Sequence, residues 1–516
     1  MRKPIITSQA IRPNDERLNE RPQRRLWARI MSAGIISLML YHPPSRAADF
    51  TVTDESFYRL FDQLELRGLV DPAPLYRPLA YSHFRQLPDS VKQTGIYRGL
   101  SRRMPFSAEP QARFFSALDG WLAQDQSRQA AIGHFRGGLL MGSGPWSLVG
   151  TYDGLSGDDF NQSYYGYRWR GVRAKTDQVY LRWSGERAFF QVGKDYLRYG
   201  LGMGLSGNAP FEKVQAGISL GPYLSLHSFT GKLDGWLKDS VFVNRFLAGH
   251  RVQLNLGFLQ LGLSEFAIYG GPGRTCEPYY LLPLYIFLGE QDNRQIDDNI
   301  IWDLDFKVTT PPVIISGEIM IDDFQIEDKS ASDKEPTEAG LGIQIAWAVL
   351  SKPLYLTTTL SYKMITSWTF NQNKDWNRFI LEGQPIGPPE GNDFDLASWD
   401  LAALSGNWDA GAKIYLKRRG QGRIDDPWTS PWIADSAWTQ NFPSGVVERT
   451  AGLQIGMNYR LPGFWFSGPR RQASLLGQFT YENINNYGHL AEINRRQWQV
   501  KLGLGFDYSR VLVRLD

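Results

Sequence analysis

Between His250 and Ile326 the chain alternates in a way that few folds can use. Val252, Leu254 and Leu256 fall on one face of an extended segment, with Gln253 and Asn255 on the other. After a turn near Gly257, Leu259, Leu261 and Leu263 oppose Gln260, Gly262 and Ser264. Successive strand side chains point to opposite faces, so these residues predict a β-hairpin with one greasy and one polar face. The stretch continues through EPYYLLPLYIFLGEQDN and ends GEIMIDDFQI. A soluble sheet would carry the same signature; recurrence along the chain separates the two cases.

The pattern recurs to the end of the chain. Ile315, Ile319 and Ile321 alternate with Ser316, Glu318, Met320 and Asp322. Trp498, Val500, Leu502, Leu504, Phe506 and Tyr508 alternate with Gln499, Lys501, Gly503, Gly505, Asp507 and Ser509. Aliphatics flanked by aromatics suit a strand whose outer face meets hydrocarbon and whose two ends meet the interfaces, while the small or charged row suits a wet lumen. A tilted strand crosses a bilayer in about 9–11 residues, the distance from Trp498 to Tyr508. The prediction is an all-β transmembrane fold, an antiparallel outer-membrane β-barrel.

Composition narrows the function classes. A mean hydropathy of −0.35, with no mature apolar run near the roughly 18 residues a spanning helix needs, excludes a helical membrane protein. The net charge of +3 comes with no basic arm or patch, so nucleic acid is not an expected partner. The single Cys276 excludes an internal disulfide framework and any multi-cysteine zinc site.

The N-terminus reads as an export signal. Arg24, Arg25 and Arg29 precede the apolar run Ile30 to Tyr41, a Pro43-Pro44 break follows, and Ser45-Arg46-Ala47 sets cleavage after Ala47. Residues 48–108 read as a small periplasmic helical segment. Thr53 or Asp54 can cap a helix whose Phe57, Leu60, Phe61 and Leu64 recur at helical spacing before Gly68, and a second short helix is expected over Ser82 to Leu87. The segment is too small for a core of its own, so it is expected to pack on the periplasmic end of the barrel. Residues 109–516 form that barrel. MGSGPW (Met141 to Trp146) and WSGER (Trp183 to Arg187) predict tight turns, and Gly154 to Tyr167, Glu327 to Glu338 and Phe370 to Asp400 predict long loops. Roughly 400 residues at ordinary strand-plus-loop lengths make on the order of sixteen to eighteen strands.

Several runs resemble the Wzi family of capsule-assembly outer-membrane proteins. They are LSEFAIYGG with GPG, then PLYIF, EQDN, Asp298-Asn299 and GEIMIDDFQI, together with GLGMGLSGNAP (Gly200 to Pro210), LEGQPIGPPEGNDFD (Leu381 to Asp395) and FYRLFDQLELRGLV followed by RPLAY. The likeness is densest from Asp195 to Ile326. It implies an eighteen-stranded barrel, a small periplasmic helical bundle, and a lectin-like role in attaching or organising capsular polysaccharide. Two departures stand out. Tyr199, Gly200, Leu201 and Gly202 replace a tryptophan–glycine–proline–glycine run, and the chain ends VLVRLD where many barrels end in an aromatic residue.

No catalytic set emerges. Asp322 and Asp323 are adjacent, and strand neighbours face opposite sides, so they cannot converge on one glycosidic bond. At a strand end, water is their ordinary surroundings. Gly202 to Gly207 fits the loose dinucleotide pattern but Pro210 argues against the helix that motif must open. The six histidines lack metal-ligand spacing. No enzyme, cofactor or metal is expected. Glycans are held by planar aromatics against their apolar faces and by carboxylates, amides and arginines on their hydroxyls, and an acidic polymer adds arginine contacts. The candidate polysaccharide-binding residues are Arg198, Tyr199, Asn208, Tyr269, Arg274, Asp322 and Asp323. Each has an ordinary alternative: girdle aromatics for the tyrosines, loop stabilisers for Asn208 and Arg274, a paired luminal charge for Arg198. The expected partners are capsular or extracellular polysaccharide, outer-membrane lipid and the polysaccharide export machinery. A porin or exopolysaccharide export pore, and a surface enzyme acting on glycan or lipid, are the competing functions.

Overall fold

The computed structural model describes residues 50–53, 55–80, 82–85, 87–92, 94, 96, 111–157, 168–323, 336–434, 438–464, 466 and 471–514. The export-signal reading falls on residues 1–47 and most of the Gly154–Tyr167 and Glu327–Glu338 loops on 158–167 and 324–335, outside the described residues.

Eighteen antiparallel strands close into a barrel. In chain order they are β1 (Gln111–Asp125), β2 (Gln129–Ser143), β3 (Trp146–Ser156), β4 (Val172–Ser184), β5 (Ala188–Asp195), β6 (Phe211–Ser219), β7 (Leu224–Lys232), β8 (Val241–Asn255) and β9 (Leu259–Pro272). They continue as β10 (Asn299–Thr310), β11 (Val313–Asp323), β12 (Glu338–Ser351), β13 (Tyr355–Ile365), β14 (Phe394–Ser405), β15 (Trp408–Arg419), β16 (Glu448–Arg460), β17 (Arg471–Asn485) and β18 (Arg495–Arg514). Each strand pairs with its sequence neighbours, and β18 returns to β1 with Leu502 opposite Leu122. Closure leaves no free sheet edge, which is what a strand-built structure needs in lipid.

The predicted register holds. Leu502 is 62% exposed and Leu122 72% on the outer wall, whereas Gln499 and Lys501 are buried on the luminal side. Ile319 faces out and Glu318 and Met320 in; Leu263 faces out and Ser264 in. The closing strand is longer than the Trp498–Tyr508 span, because pairing with β1 runs on past a bulge between Val511 and Val513. A ladder does not stop where the lipid does.

Connections at residues 144–145, 185–187, 220–223, 256–258, 311–312, 352–354 and 406–407 are all tight and all at one end. The connections at residues 196–210, 273–298, 366–393 and 420–447 lie at the other. Short turns mark the periplasmic side of such a barrel and long loops the outside.

Between Phe50 and Ile96 the chain fills the short-turn mouth. Helices α1 (Glu55–Glu65), α2 (Ser82–Arg85) and α3 (Asp89–Lys92) bury Phe57, Leu60, Phe61, Leu64 and Phe84 together with Tyr355 and Leu404 of the wall. The barrel thus completes a core the segment could not close alone. Polar ties reach inward-facing wall residues: Lys307 donates to the Ala73 carbonyl at 2.9 Å, Gln260 to that of Pro72 at 2.9 Å, and the Thr51 backbone N–H to the Tyr180 hydroxyl at 3.0 Å.

Two connections then turn into the lumen. The β5–β6 connection, residues 196–210, drives Leu197, Tyr199, Met203 and Leu205 into a core with Phe266, Ile301 and Met320 from the inner wall. The β13–β14 connection, residues 366–393, adds Phe370 stacked on Phe379 at 4.9 Å and 12°, with Ile386. A two-residue ribbon, Tyr76–Arg77 against Arg198–Tyr199, joins the N-terminal segment to the first connection.

Candidate functional site

The glycine-rich run is built around a carboxylate. Met203 and Gly204 donate backbone N–H groups to Glu318 at 2.7 and 3.1 Å. Gly200 sits at φ +54°, where a side chain is strained, and a Cβ there would also run into Glu318 and Asp305. Successive N–H groups in such a turn form an anion-binding hollow. Here the anion is the protein's own, and no helix follows, so the glycine spacing serves lumen packing.

Beside this point Arg251 is held by hydrogen bonds on every guanidinium nitrogen. Arg251, wholly buried, donates to Asp305 at 2.9 Å, to Gln253 at 2.6 Å and to Ser264 at 3.1 Å, and its guanidinium lies 5.0 Å from the Tyr199 ring centre. Tyr199 stacks on Phe266 at 5.8 Å and is buried. Arg198, its neighbour, instead borders an open chamber.

The sequence candidates do not converge. Asn208 is exposed and donates to the Gly387 carbonyl at 2.9 Å, joining the two luminal connections. Asp322 is buried rather than in water: its carboxylate accepts the Phe370 backbone N–H and anchors the β13–β14 connection. Asp323 ends β11 opposite Glu338. Tyr269 lies on the outer wall, stacked on Tyr280 at 4.2 Å and 17°. Arg274 grips Asp298 at 2.8 Å and Glu277 at 2.9 Å at the base of the β9–β10 connection. Burial works against the charge of Arg274, but the hydrogen bonds it donates to Asp298 and Glu277 outweigh that and raise its pKa. Burial likewise favours a neutral Glu277, yet its bonds with Arg274 and Tyr279 hold the carboxyl below its ordinary value.

Among the described residues, hollows open to a ligand include a chamber in the lumen and a pocket in the long loops. The first is a chamber of 1890 Å³ reaching up from the short-turn end. Its walls come from β1–β4, β12–β18 and the N-terminal segment, and they carry both signs, with Arg136, Lys413 and Lys501 set among Asp119, Asp400 and Asp409. The second is a 250 Å³ hollow among the long loops, between the β13–β14 and β15–β16 connections. Trp368 and Trp438 line it, with Asn371, Arg423, Asp426 and Asn441. Trp368 packs edge-on against Trp428 (5.3 Å) and buried Trp432 (5.1 Å), which fixes its plane. Asp393 braces the hollow, accepting backbone N–H groups from Gly422 at 2.8 Å and Ser444 at 2.9 Å. Asp426 accepts the Arg423 N–H at 2.8 Å, and Arg423 reaches His489 at 2.8 Å. Rigid aromatic planes beside amides, an arginine and a carboxylate match the chemistry of a sugar ring. The sequence reading passed over these residues. Their signal was WTSPWIADSAW, which sets Trp428, Trp432 and Trp438 in a stretch with no strand alternation. Among the described residues no cluster of three or more His, Cys, Asp or Glu is placed to hold a metal ion.

Comparison of the fold with solved structures places it beside Wzi of Escherichia coli, a carbohydrate-binding outer-membrane barrel involved in group 1 capsule assembly. The match has a TM-score of 0.61 and 14% identity and covers 90% of this chain and 99% of that one. The fold is Wzi-like. At that identity the likeness extends to architecture alone. OprD of Pseudomonas aeruginosa aligns more loosely (TM-score 0.44, 12% identity, 78% of this chain and 96% of that one). OccD3 of the same organism aligns similarly (0.45, 8%, 79% and 96%). No family model and no curated protein matches the sequence.

Proposed function

We propose that this barrel resides in the outer membrane of a Gram-negative bacterium and holds capsular or other extracellular polysaccharide at the cell surface without altering it chemically. The tryptophan-lined hollow at the long-loop end carries this reading. At 250 Å³ it is below the roughly 300–1,000 Å³ of ordinary ligand pockets, which suits one or two rings of a longer polymer. Trp368 and Trp438 offer flat surfaces to the sugar, and Arg423 offers a cation to an acidic one. The Wzi-like fold supports the same direction, since that relative is a carbohydrate-binding protein. In this reading Tyr199, Tyr269, Arg274 and Asp322 position loops, while Arg198 and Asn208 stay candidates for polymer contact. The export machinery is the source of the polymer.

The chamber favours a second reading, a conducting or export pore, and measurement separates the two. Deleting the gene should leave total polysaccharide constant and move it from cells to medium. A fall in total with build-up inside the cell supports the pore instead, and longer chains in the medium support a hydrolase. With purified protein, Trp438→Ala should weaken binding of soluble polysaccharide. One lost aromatic contact is worth about 0.5–1.5 kcal/mol, or roughly 2- to 10-fold in affinity. Unchanged affinity in both Trp438→Ala and Trp368→Ala would remove the hollow from the proposal.

A further inference from the structure

The β9–β10 connection does not extend the strand pattern, although PYYLLPLYIFLG is as apolar as any strand in the chain. It folds back down the outside of the barrel. Tyr279, Tyr280 and Phe287 pack on Phe246, Ala248, Ala267, Tyr269 and Ile300, all outward-facing positions of β8–β10. At the lowest point, Glu265 of β9 accepts the backbone N–H groups of Phe287 (2.8 Å) and Leu288 (3.0 Å), the first residues of helix α4 (Phe287–Arg294). His250 of β8 lies 3.2 Å from the same carboxylate. Glu265 faces outward yet is 1% exposed, so the loop keeps a carboxylate out of the lipid. At usual strand rise and tilt it lies about 18 Å below the rim at Pro272.

The loop hides the wall beneath it but presents a new apolar surface. Leu284 is 81% exposed and Ile286 61%, with Leu282, Tyr285 and Leu288 also open. No charge occurs from Pro278 to Gly289. The register sets what lies next to this ridge. Glu265 pairs with His250 and Trp302, and the next outward positions toward the short turns are Leu263, Val252 and Leu304, part of the exposed lipid-facing belt. The ridge therefore continues the belt without a polar break.

We propose that the β9–β10 connection is a membrane-embedded skirt whose Leu284–Leu288 ridge contacts the acyl chains of the outer leaflet. It covers the outer face of β8–β10 from the rim down to Glu265, where Glu265 and His250 could not meet hydrocarbon unaided. Its occupant is lipid, and the hollow among the tryptophans plays no part in the argument.

The test uses the full chain in phospholipid vesicles. In a Cys276→Ser background, Leu284→Cys or Ile286→Cys carries an environment-sensitive fluorophore, with Leu263→Cys as the belt control and native Cys276, which is exposed, as the aqueous one. Brominated phospholipid should quench the Leu284 and Ile286 sites as strongly as Leu263, and iodide should quench only Cys276. Quenching of Leu284 and Ile286 by iodide places the ridge in water and overturns the proposal. Protection from both quenchers, with self-quenching between labelled copies, overturns it in favour of contact between two copies of the chain. Glu265→Gln removes the charge that grips α4 and should shift both ridge sites toward iodide relative to the unsubstituted wall.

Discussion

The two sides of the lumen are made from the same kind of strand and are filled in opposite ways. Along β6–β11 the inward row meets two connections and an aromatic core, and Arg251 there is locked onto Asp305. Along β1–β4 and β14–β18 the inward row faces a chamber of 1890 Å³ lined by serines, threonines, glutamines and charges of both signs. A buried charge is tolerated when every donor and acceptor is matched. A hydrated one needs no partner. The contrast shows what the motif-dense stretch from Asp195 to Ile326 is for: it builds the plug and its seat. That density need not mark the ligand site.

The sharpest break of this contrast is a pair of truncations. Phe266→Ala, which opens a hole in the packed side, should cost about 3–5 kcal/mol. Gln478→Ala in the chamber wall should stay within about 0.5 kcal/mol. Denaturant titration followed by the gel shift of unboiled samples reads both, and equal losses would mean the two sides do not differ as described. The outer wall gives the next effect. Leu502→Arg places a charge in lipid and should cost about 2–4 kcal/mol near the midplane, against far less for Lys501→Gln. A reversed order would put the register off by one residue.

Gly200→Val tests the plug from within. A β-branched residue in the left-handed region costs on the order of 1–3 kcal/mol, and here it also strikes Glu318. The plug should leave its seat while the barrel stays closed, seen as higher single-channel conductance with an unchanged gel shift. Unaltered conductance would show that the Gly200 turn does not gate the lumen.

The smallest effect concerns pH at the rim. The folded Glu277 carboxyl titrates below its unfolded value, so its stabilisation is complete above the unfolded value near about 4.3. That stabilisation is lost as pH falls through the lower folded value. Iodide quenching of a label on Cys276 should therefore be flat from neutral pH to about 4.5 and change only below, and Glu277→Gln should abolish the change. A transition near neutrality would point to a different group.

The wall was legible because lipid enforces alternation: Leu263, Ile319 and Leu502 had to face out. The interior was less so. Tyr199 and Phe370 are apolar residues in connections, and nothing in a two-residue period says that a connection turns inward. The Pro278–Gly289 run misleads for the opposite reason, since a skirt against lipid has the composition of a strand without its periodicity. Asp322 looked like a residue entering water because its partner, the Phe370 N–H, is remote in sequence and carries no side-chain signal. Trp428, Trp432 and Trp438 are close in sequence, but Trp368 joins them from another connection, and only mutual geometry separates such a hollow from a girdle.

The ribbon between Tyr76–Arg77 and Arg198–Tyr199 lies inside a ring that has no seam except where β18 meets β1. The N-terminal segment comes from the short-turn mouth and the β5–β6 connection from the opposite end. The ribbon therefore ties the two ends of the barrel to each other through its interior. A variant that breaks this ribbon should loosen both luminal pieces together while the closed wall around them keeps its gel shift.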